Sequence, residues 1–331
     1  MSVGTGPVLL QLDDAAKTYR RAGTTVQALQ GFSLQIEAGD ILGLLGPNGS
    51  GKTTAVKLLT GLCGADGGQL HWRGRPVPLG HHAPHLREFG VLLEGRGACY
   101  ERLSTLENAR YFCALREAAF DRAHFDALAK LLDIADVHAP LRQLSTGHKL
   151  RASLLGTLVH RPALALLDEP TLGLDLFGVE RLQALVRHTA AQGTALLLGS
   201  HDLAFIEKLS QRIVCLRAGH KVFDGSQAEF LRLDHEYLLL LEADPALHTH
   251  EPPALPEALM AALAQPLALT LHGWQPQPDS PPGHWQLPLR DHAQACAVLA
   301  ALQPVLPAQR GLQLRRVALR DKYISLVGGN P

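Results

Sequence analysis

The stretch Gly46-Pro47-Asn48-Gly49-Ser50-Gly51-Lys52-Thr53 satisfies the phosphate-loop pattern G-x-x-x-x-G-K-[ST] at every fixed position. The apolar run Ile41–Leu45 before it reads as a strand, and Thr54-Ala55-Val56-Lys57-Leu58-Leu59 after it reads as a helix. A strand that feeds a glycine-rich turn into a helix N-terminus aims successive backbone N–H groups at one spot. The helix dipole adds partial positive charge there, so the spot suits a polyphosphate. The glycines reach backbone angles that a Cβ would forbid. Lys52 is expected to contact the β- and γ-phosphates, and the Thr53 hydroxyl to bind Mg²⁺.

A second constellation lies at Asp168-Glu169-Pro170. The apolar residues 163–167 before it read as a strand buried on both faces, as in a parallel sheet. Asp168 then emerges at the carboxyl end, where open α/β sheets bind ligands. A carboxylate there can hold Mg²⁺ through water, and Glu169 beside it can polarise the water that attacks a γ-phosphate. An acidic pair that merely closes a strand is the bland alternative. The phosphate loop in the same chain weighs against it.

With these residues in view, the chain resembles the ATP-binding subunit of an ABC transporter. Further motifs carry the match. Leu144-Ser145-Thr146-Gly147-His148 is similar to the family signature, and Leu174-Asp175 resembles the loop after the catalytic glutamate. Ser200-His201-Asp202 resembles the switch-histidine segment, and Tyr19 the aromatic that stacks on adenine. The resemblance covers residues 8 to about 233. It implies ATP and Mg²⁺ as ligands and Glu169 and His201 as catalytic residues. ATP would be held by Tyr19, by 46–53 and by Thr54. Ser145 and Gly147 would reach the γ-phosphate held by the opposite subunit, and Asp175 would belong to the loop after the catalytic glutamate. Thr53 and Asp168 would hold the metal, with Glu94 as a further candidate ligand.

Two positions depart from the family pattern. Glu94 stands where a glutamine normally follows the strand at 89–93, and His148 occupies the signature's usual glutamine-like position. A carboxylate brings a full negative charge beside the γ-phosphate where an amide brings none. The segment Leu92-Leu93-Glu94-Gly95-Arg96, with Tyr100-Glu101-Arg102-Leu103-Ser104 after it, is similar to one branch of the type-two exporter ATPases. Glu94 is therefore read as a lineage feature.

Composition narrows the function classes. The 331 residues allow one large domain and a smaller one, and 46% hydrophobic content is ample for a core. A formal net charge of +0 provides no large basic field for nucleic acid. Cys63, Cys99, Cys113, Cys215 and Cys296 are widely separated, with no C-x-x-C pair, which fits a reducing cytoplasm. No secretory signal is visible, and no run of eighteen apolar residues is uninterrupted. The expected location is the cytoplasmic face of the membrane, peripheral to a separate membrane-spanning permease. The cluster His81-His82-Ala83-Pro84-His85 invites a metal reading, but a solvated loop is the simpler account.

The elements that must position these residues follow in order. Strands at 8–16 and 32–36 precede the phosphate loop, and 69–72 and 75–77 form a hairpin around Arg73-Gly74. The region 96–160 reads as helical, with Ser104-Thr105-Leu106-Glu107 as a capping box. Phe125, Leu128, Leu131 and Leu132 share a face of the next helix, and Ser145 is an N-cap candidate. From Asp234 the composition shifts: 13 of the 21 prolines fall in 234–331. The stretch 248–256 reads as a linker and 276–282 as a loop. Strands at 267–271, 285–289 and 312–317 and a helix at 292–302 suggest a small α+β accessory domain.

The expected fold is therefore α/β: a P-loop NTPase core of the ABC type over 1–233, with an antiparallel β layer and a helical subdomain, and a C-terminal α+β domain over 234–331. The expected assembly is a head-to-tail homodimer that uses ATP to power export, with no nucleic-acid partner. An ABC protein outside transport, acting on ribosomes or DNA or switching on ATP occupancy, and an importer subunit are the rival readings. The cargo is not legible, because its contacts lie in another chain.

Overall fold

The computed structural model describes residues 6–21, 24–79, 83–93, 99–233, 235–242, 275–276, 284–302 and 312–327. Two compact units divide the chain, Met1–Gln227 and Ala228–Pro331.

In the first unit, β1 (Val8–Arg21) and β2 (Thr24–Glu37) form a long antiparallel pair. Strand β4 (Gly67–Trp72) joins the other side of β1, and β5 (Arg75–Val77) pairs with β4. The hairpin is longer than the hydrophobic pattern predicts, since Tyr19 still pairs with Val26. Its outer half is polar and exposed, so the ladder continues without the alternation that marks a half-buried strand.

The second sheet has the order β10-β9-β3-β8-β7-β6. Its centre comprises β3 (Ile41–Leu45), β7 (Leu164–Asp168) and β8 (Ala195–Gly199), every residue of which is buried. Strands β3, β8, β7 and β6 (Phe89–Leu92) run parallel, as does β9 (Arg212–Arg217) beside β3. Strand β10 (His220–Ser226) closes the edge antiparallel to β9. Near-continuous leucine runs are what a sheet covered on both faces requires. Helices α1 (Lys52–Leu59), α5 (Leu176–Ala191) and α6 (Leu203–Leu209) complete this layer. One core cluster includes Leu10, Phe32, Leu44, Val56, Trp72 and Phe89, so the antiparallel layer packs on the parallel sheet.

The region after residue 99 is helical, as expected: α2 (Thr105–Leu115), α3 (Arg122–Leu131) and α4 (Thr146–Leu158). The capping box forms: Ser104 Oγ accepts from Glu107 N at 3.2 Å, and Glu107 Oε2 accepts from Ser104 N at 2.8 Å. On α3, Phe125 and Leu128 are buried, as is Leu132 just beyond it, while Leu131 is half-buried.

His85 departs from the solvated loop expected for the histidine cluster. It is buried, its ring 5.5 Å from Phe89 and 6.0 Å from Trp72, centroid to centroid. The aromatic surfaces of β4 and β6 take it into the core. His81 and His82 lie outside the described residues.

Burial, the largest cause in each case, lowers the pKa of His85, His124 and His160 below 6.5, the last to about 4. Unfolding restores ordinary values, so between pH 6.5 and about 4 the unfolded chain binds more protons than the folded one. Stability is therefore expected to fall as pH falls through that window. Urea midpoints measured from pH 7 to pH 4.5 check this.

In the second unit, a sheet of order β12-β13-β11-β14 is antiparallel throughout. It comprises β11 (Tyr237–Glu242), β12 (Gln275–Pro276), β13 (His284–Leu289) and β14 (Leu312–Arg316). The expected helix is α8 (His292–Leu302), and α9 (Leu319–Val327) follows β14. The central strand β11 was not anticipated, because a short run of leucines after a tyrosine carries no alternation. Helix α7 (Gln227–Arg232) spans the residues where the two units divide. The linker at 248–256 and the strand at 267–271 lie outside the described residues, as does most of the loop at 276–282.

Candidate functional site

The phosphate-loop segment leaves β3 at Leu45 and enters α1 at Lys52. Gly51 has φ +109°, and a Cβ there would stand 2.4 Å from the Ala28 carbonyl oxygen. Positive φ and close approach of β2 both require glycine at this position. Lys52 Nζ donates to the carbonyls of Gly46 at 2.5 Å and Pro47 at 3.2 Å, so the ammonium lies over the loop. Among the described residues, the buried Ser50 Oγ has no hydrogen-bond partner.

The next residue on α1 meets β7. Thr53 Oγ1 and Asp168 Oδ2 are 3.5 Å apart, and Asp168 is buried. Parallel pairing of β3, β8 and β7 brings these two oxygens together across 115 residues. Hydroxyl and carboxylate are the hard oxygen donors that Mg²⁺ selects, so the pair fits that ion.

Glu169 stands immediately beyond β7 with φ +51°, a conformation unusual for a side chain larger than glycine. Its N–H donates to the Gly199 carbonyl at 2.7 Å. Its carboxylate accepts from Ser200 Oγ at 3.2 Å and from the His201 N–H at 3.1 Å. His201 Nδ1 lies 2.8 Å from Glu169 Oε2. The Glu169 side chain is 10% exposed and that of His201 75%. A carboxylate held by two donors, with an accessible imidazole beside it, is placed to accept a proton at the mouth of the sheet. Ser200 was not singled out by sequence reasoning. Its signal was only its place between the apolar strand and His201.

Tyr19 on β1 is 39% exposed. Burial, then a contact with Cys63, pushes its hydroxyl pKa up, while Thr54 on α1 opposes the rise. The ring thus stands beside the start of α1. Lys17 Nζ is 5.6 Å from the ring centroid.

Ser145 is the N-cap of α4, with Oγ 2.7 Å from His148 Nδ1. A Cβ on Gly147 would come within 3.7 Å of the Gly173 carbonyl oxygen. Asp175 caps α5, Oδ1 accepting from the Gly178 N–H at 2.7 Å. Thr53, Asp168, Glu169 and His201 therefore form one group at the ends of the parallel strands. Ser145, Gly147 and Asp175 gather at the start of α4 and α5. Among the described residues neither Ser145 nor Asp175 hydrogen-bonds to the first group. Glu94 lies outside the described residues.

The family described as ABC transporter matches residues 29–172. An uncharacterized ABC transporter ATP-binding protein of Nostoc is 34% identical over 239 residues, 70% of this chain and 70% of that relative. A daunorubicin resistance ATP-binding protein of Streptomyces coeruleorubidus is 34% identical over 223 residues, 66% of this chain and 69% of its own length. Among solved structures, a dimeric ATP-binding cassette bound to ADP and Pi in a post-hydrolysis state superposes with a TM-score of 0.57 at 21% identity. It covers 66% of this chain and 98% of that one. At that identity the likeness shows the fold.

Proposed function

This chain belongs to the ABC transporter family as an ATP-hydrolysing, ATP-binding subunit, and we propose from that premise that it powers export through a separate membrane permease. The observation that carries the reading is the grouping of Thr53, Asp168, Glu169 and His201 at the ends of β3, β7 and β8. The drug-resistance name of one relative favours export.

In this proposal the triphosphate of ATP rests on 46–53, with Lys52 turned from the loop carbonyls to phosphate oxygens. Tyr19 stacks on the adenine. Thr53 and Asp168 would hold Mg²⁺, which would supply charge neutralisation on the phosphates. Glu169 takes the proton of the attacking water as its oxygen bonds to the γ-phosphorus. The bond to the β–γ bridging oxygen breaks, leaving ADP and phosphate. Ser200 and the His201 N–H keep the Glu169 carboxylate aimed, and the His201 ring faces the γ-phosphate.

Ser145 and Gly147 of a second copy complete the site. Exposed Leu172, Leu176 and Phe177 flank Asp175 and supply apolar surface for that copy to cover. Tyr100, Tyr111 and Leu115, exposed on the helical region, are the corresponding surface for the permease. No helix among the described residues is long and apolar enough to cross a membrane. The pore then comes from the permease, and the chain works at the cytoplasmic face. We assign 1–233 to the ATP-binding domain and 234–331 to an accessory domain.

Two measurements bear on this. Solubilised membranes of the native host should yield a multi-span protein with the tagged full chain. Recovery of the chain with no membrane protein would contradict the partner. Glu94→Gln should keep ATPase activity within about tenfold, roughly 1.4 kcal/mol in the barrier, yet shift the Mg²⁺ and Mn²⁺ dependence. Identical metal curves would remove Glu94 from the site.

A further inference from the structure

A cleft of about 350 Å³ lies at the beginning of β6, β7 and β8, the end of the sheet opposite Glu169 and His201. Glu88, Ala163 and Thr194, each one residue before a strand, contribute to its wall. Arg73, Arg87, Arg116 and Arg161 line it together with His160. They come from four separate segments: the β4–β5 turn, the approach to β6, the end of α2 and the exit of α4. Among the described residues Glu88 is the single carboxylate in the lining.

The ion pairs leave this charge incompletely balanced. Arg73 pairs with Glu88 at 2.7 Å, Arg87 with Glu117 at 2.5 Å and Arg161 with Asp121 at 2.9 Å. All three pairs are substantially exposed, so each is weakly held and can exchange for another anion. Arg116 is different. Its Nε donates to the Phe89 carbonyl at 2.9 Å, and among the described residues it has no carboxylate partner. Burial disfavours its charge, which an anion in the cleft would offset. His160 Nε2 donates to the same carbonyl at 3.1 Å, and its ring, kept neutral by burial, adds no positive charge to the cleft.

We propose that this cleft binds a small tetrahedral oxyanion, phosphate or the phosphate group of a monoester, at a site separate from the nucleotide loop. Guanidinium forks arriving from several directions need an anion with acceptor oxygens in several directions. Phosphate has that geometry, whereas a carboxylate offers two oxygens in one plane. The volume is at the lower end for small-molecule sites. The concave shape and the formal net charge of +0 argue against a nucleic-acid strand.

The test is calorimetric titration of the full chain in a Lys52→Ala background, which weakens competition from the nucleotide loop. The probes are inorganic phosphate, glycerol phosphate and citrate. Phosphate or glycerol phosphate should bind once, more tightly than citrate, and the better of the two identifies free anion or monoester. Arg116→Gln and Arg161→Gln should each weaken that binding at least tenfold, while Arg122→Gln, outside the cleft, leaves it intact. If Arg116→Gln does not fold, the exposed Arg161→Gln decides alone. Absence of phosphate binding, equal binding of citrate, or phosphate binding unchanged by Arg161→Gln would overturn the proposal.

Discussion

Glu169→Gln is expected to slow ATP hydrolysis by about 10²–10⁴, the usual contribution of a positioned general base, while ATP still binds. The amide nearly preserves the shape of the carboxylate but does not take the proton of the attacking water. The neighbours that orient the side chain are the Ser200 hydroxyl and the His201 N–H, both donors. An amide can satisfy them with its carbonyl oxygen, so the fold should persist. Its NH₂ group would then face the remaining partners, and the 2.8 Å contact with His201 Nδ1 requires a matching tautomer. Single-turnover phosphate release, with nucleotide binding measured separately, distinguishes lost chemistry from lost affinity. Unchanged turnover would mean that another group accepts the proton.

Lys52→Ala should lose nucleotide affinity rather than chemistry alone. A hydrogen bond to a charged group is worth about 1.5–3 kcal/mol. Two phosphate contacts then correspond to roughly 10²–10⁴ in affinity. The carbonyls of Gly46 and Pro47 that accept from Nζ become free for water, so the mutant should remain folded. Wild-type ATP affinity in the presence of Mg²⁺ would contradict the placement of the phosphates.

The parts of the site most legible in the sequence are those fixed by short offsets from strongly apolar strands. Asp168 and Glu169 follow the leucine run of β7, and His201 follows that of β8, so element and residue were read together. The phosphate loop is local for the same reason: its pattern, its strand and its helix are contiguous. Contacts made by topology were harder to read. Ser200 meets Glu169 because parallel strands align their carboxyl ends, and the same alignment brings Thr53 to Asp168, a meeting the resemblance implied through their shared metal. The arginines of the opposite cleft are dispersed from Arg73 to Arg161 and converge only through sheet order. His85 was misread because its own segment is polar, and the aromatic residues that bury it, Trp72 and Phe89, lie on two strands. Strand β11 was missed because a run of four leucines has no period to distinguish strand from buried helix.

Sedimentation of the Glu169→Gln chain with and without ATP tests the composite site most directly. With hydrolysis blocked, ATP should convert monomer to dimer, and Ser145→Arg, which places a bulky cation at the start of α4, should abolish the conversion. A Glu169→Gln chain that binds ATP yet sediments as monomer at every nucleotide concentration would contradict the two-copy site. So would a dimer that forms equally well with Ser145→Arg.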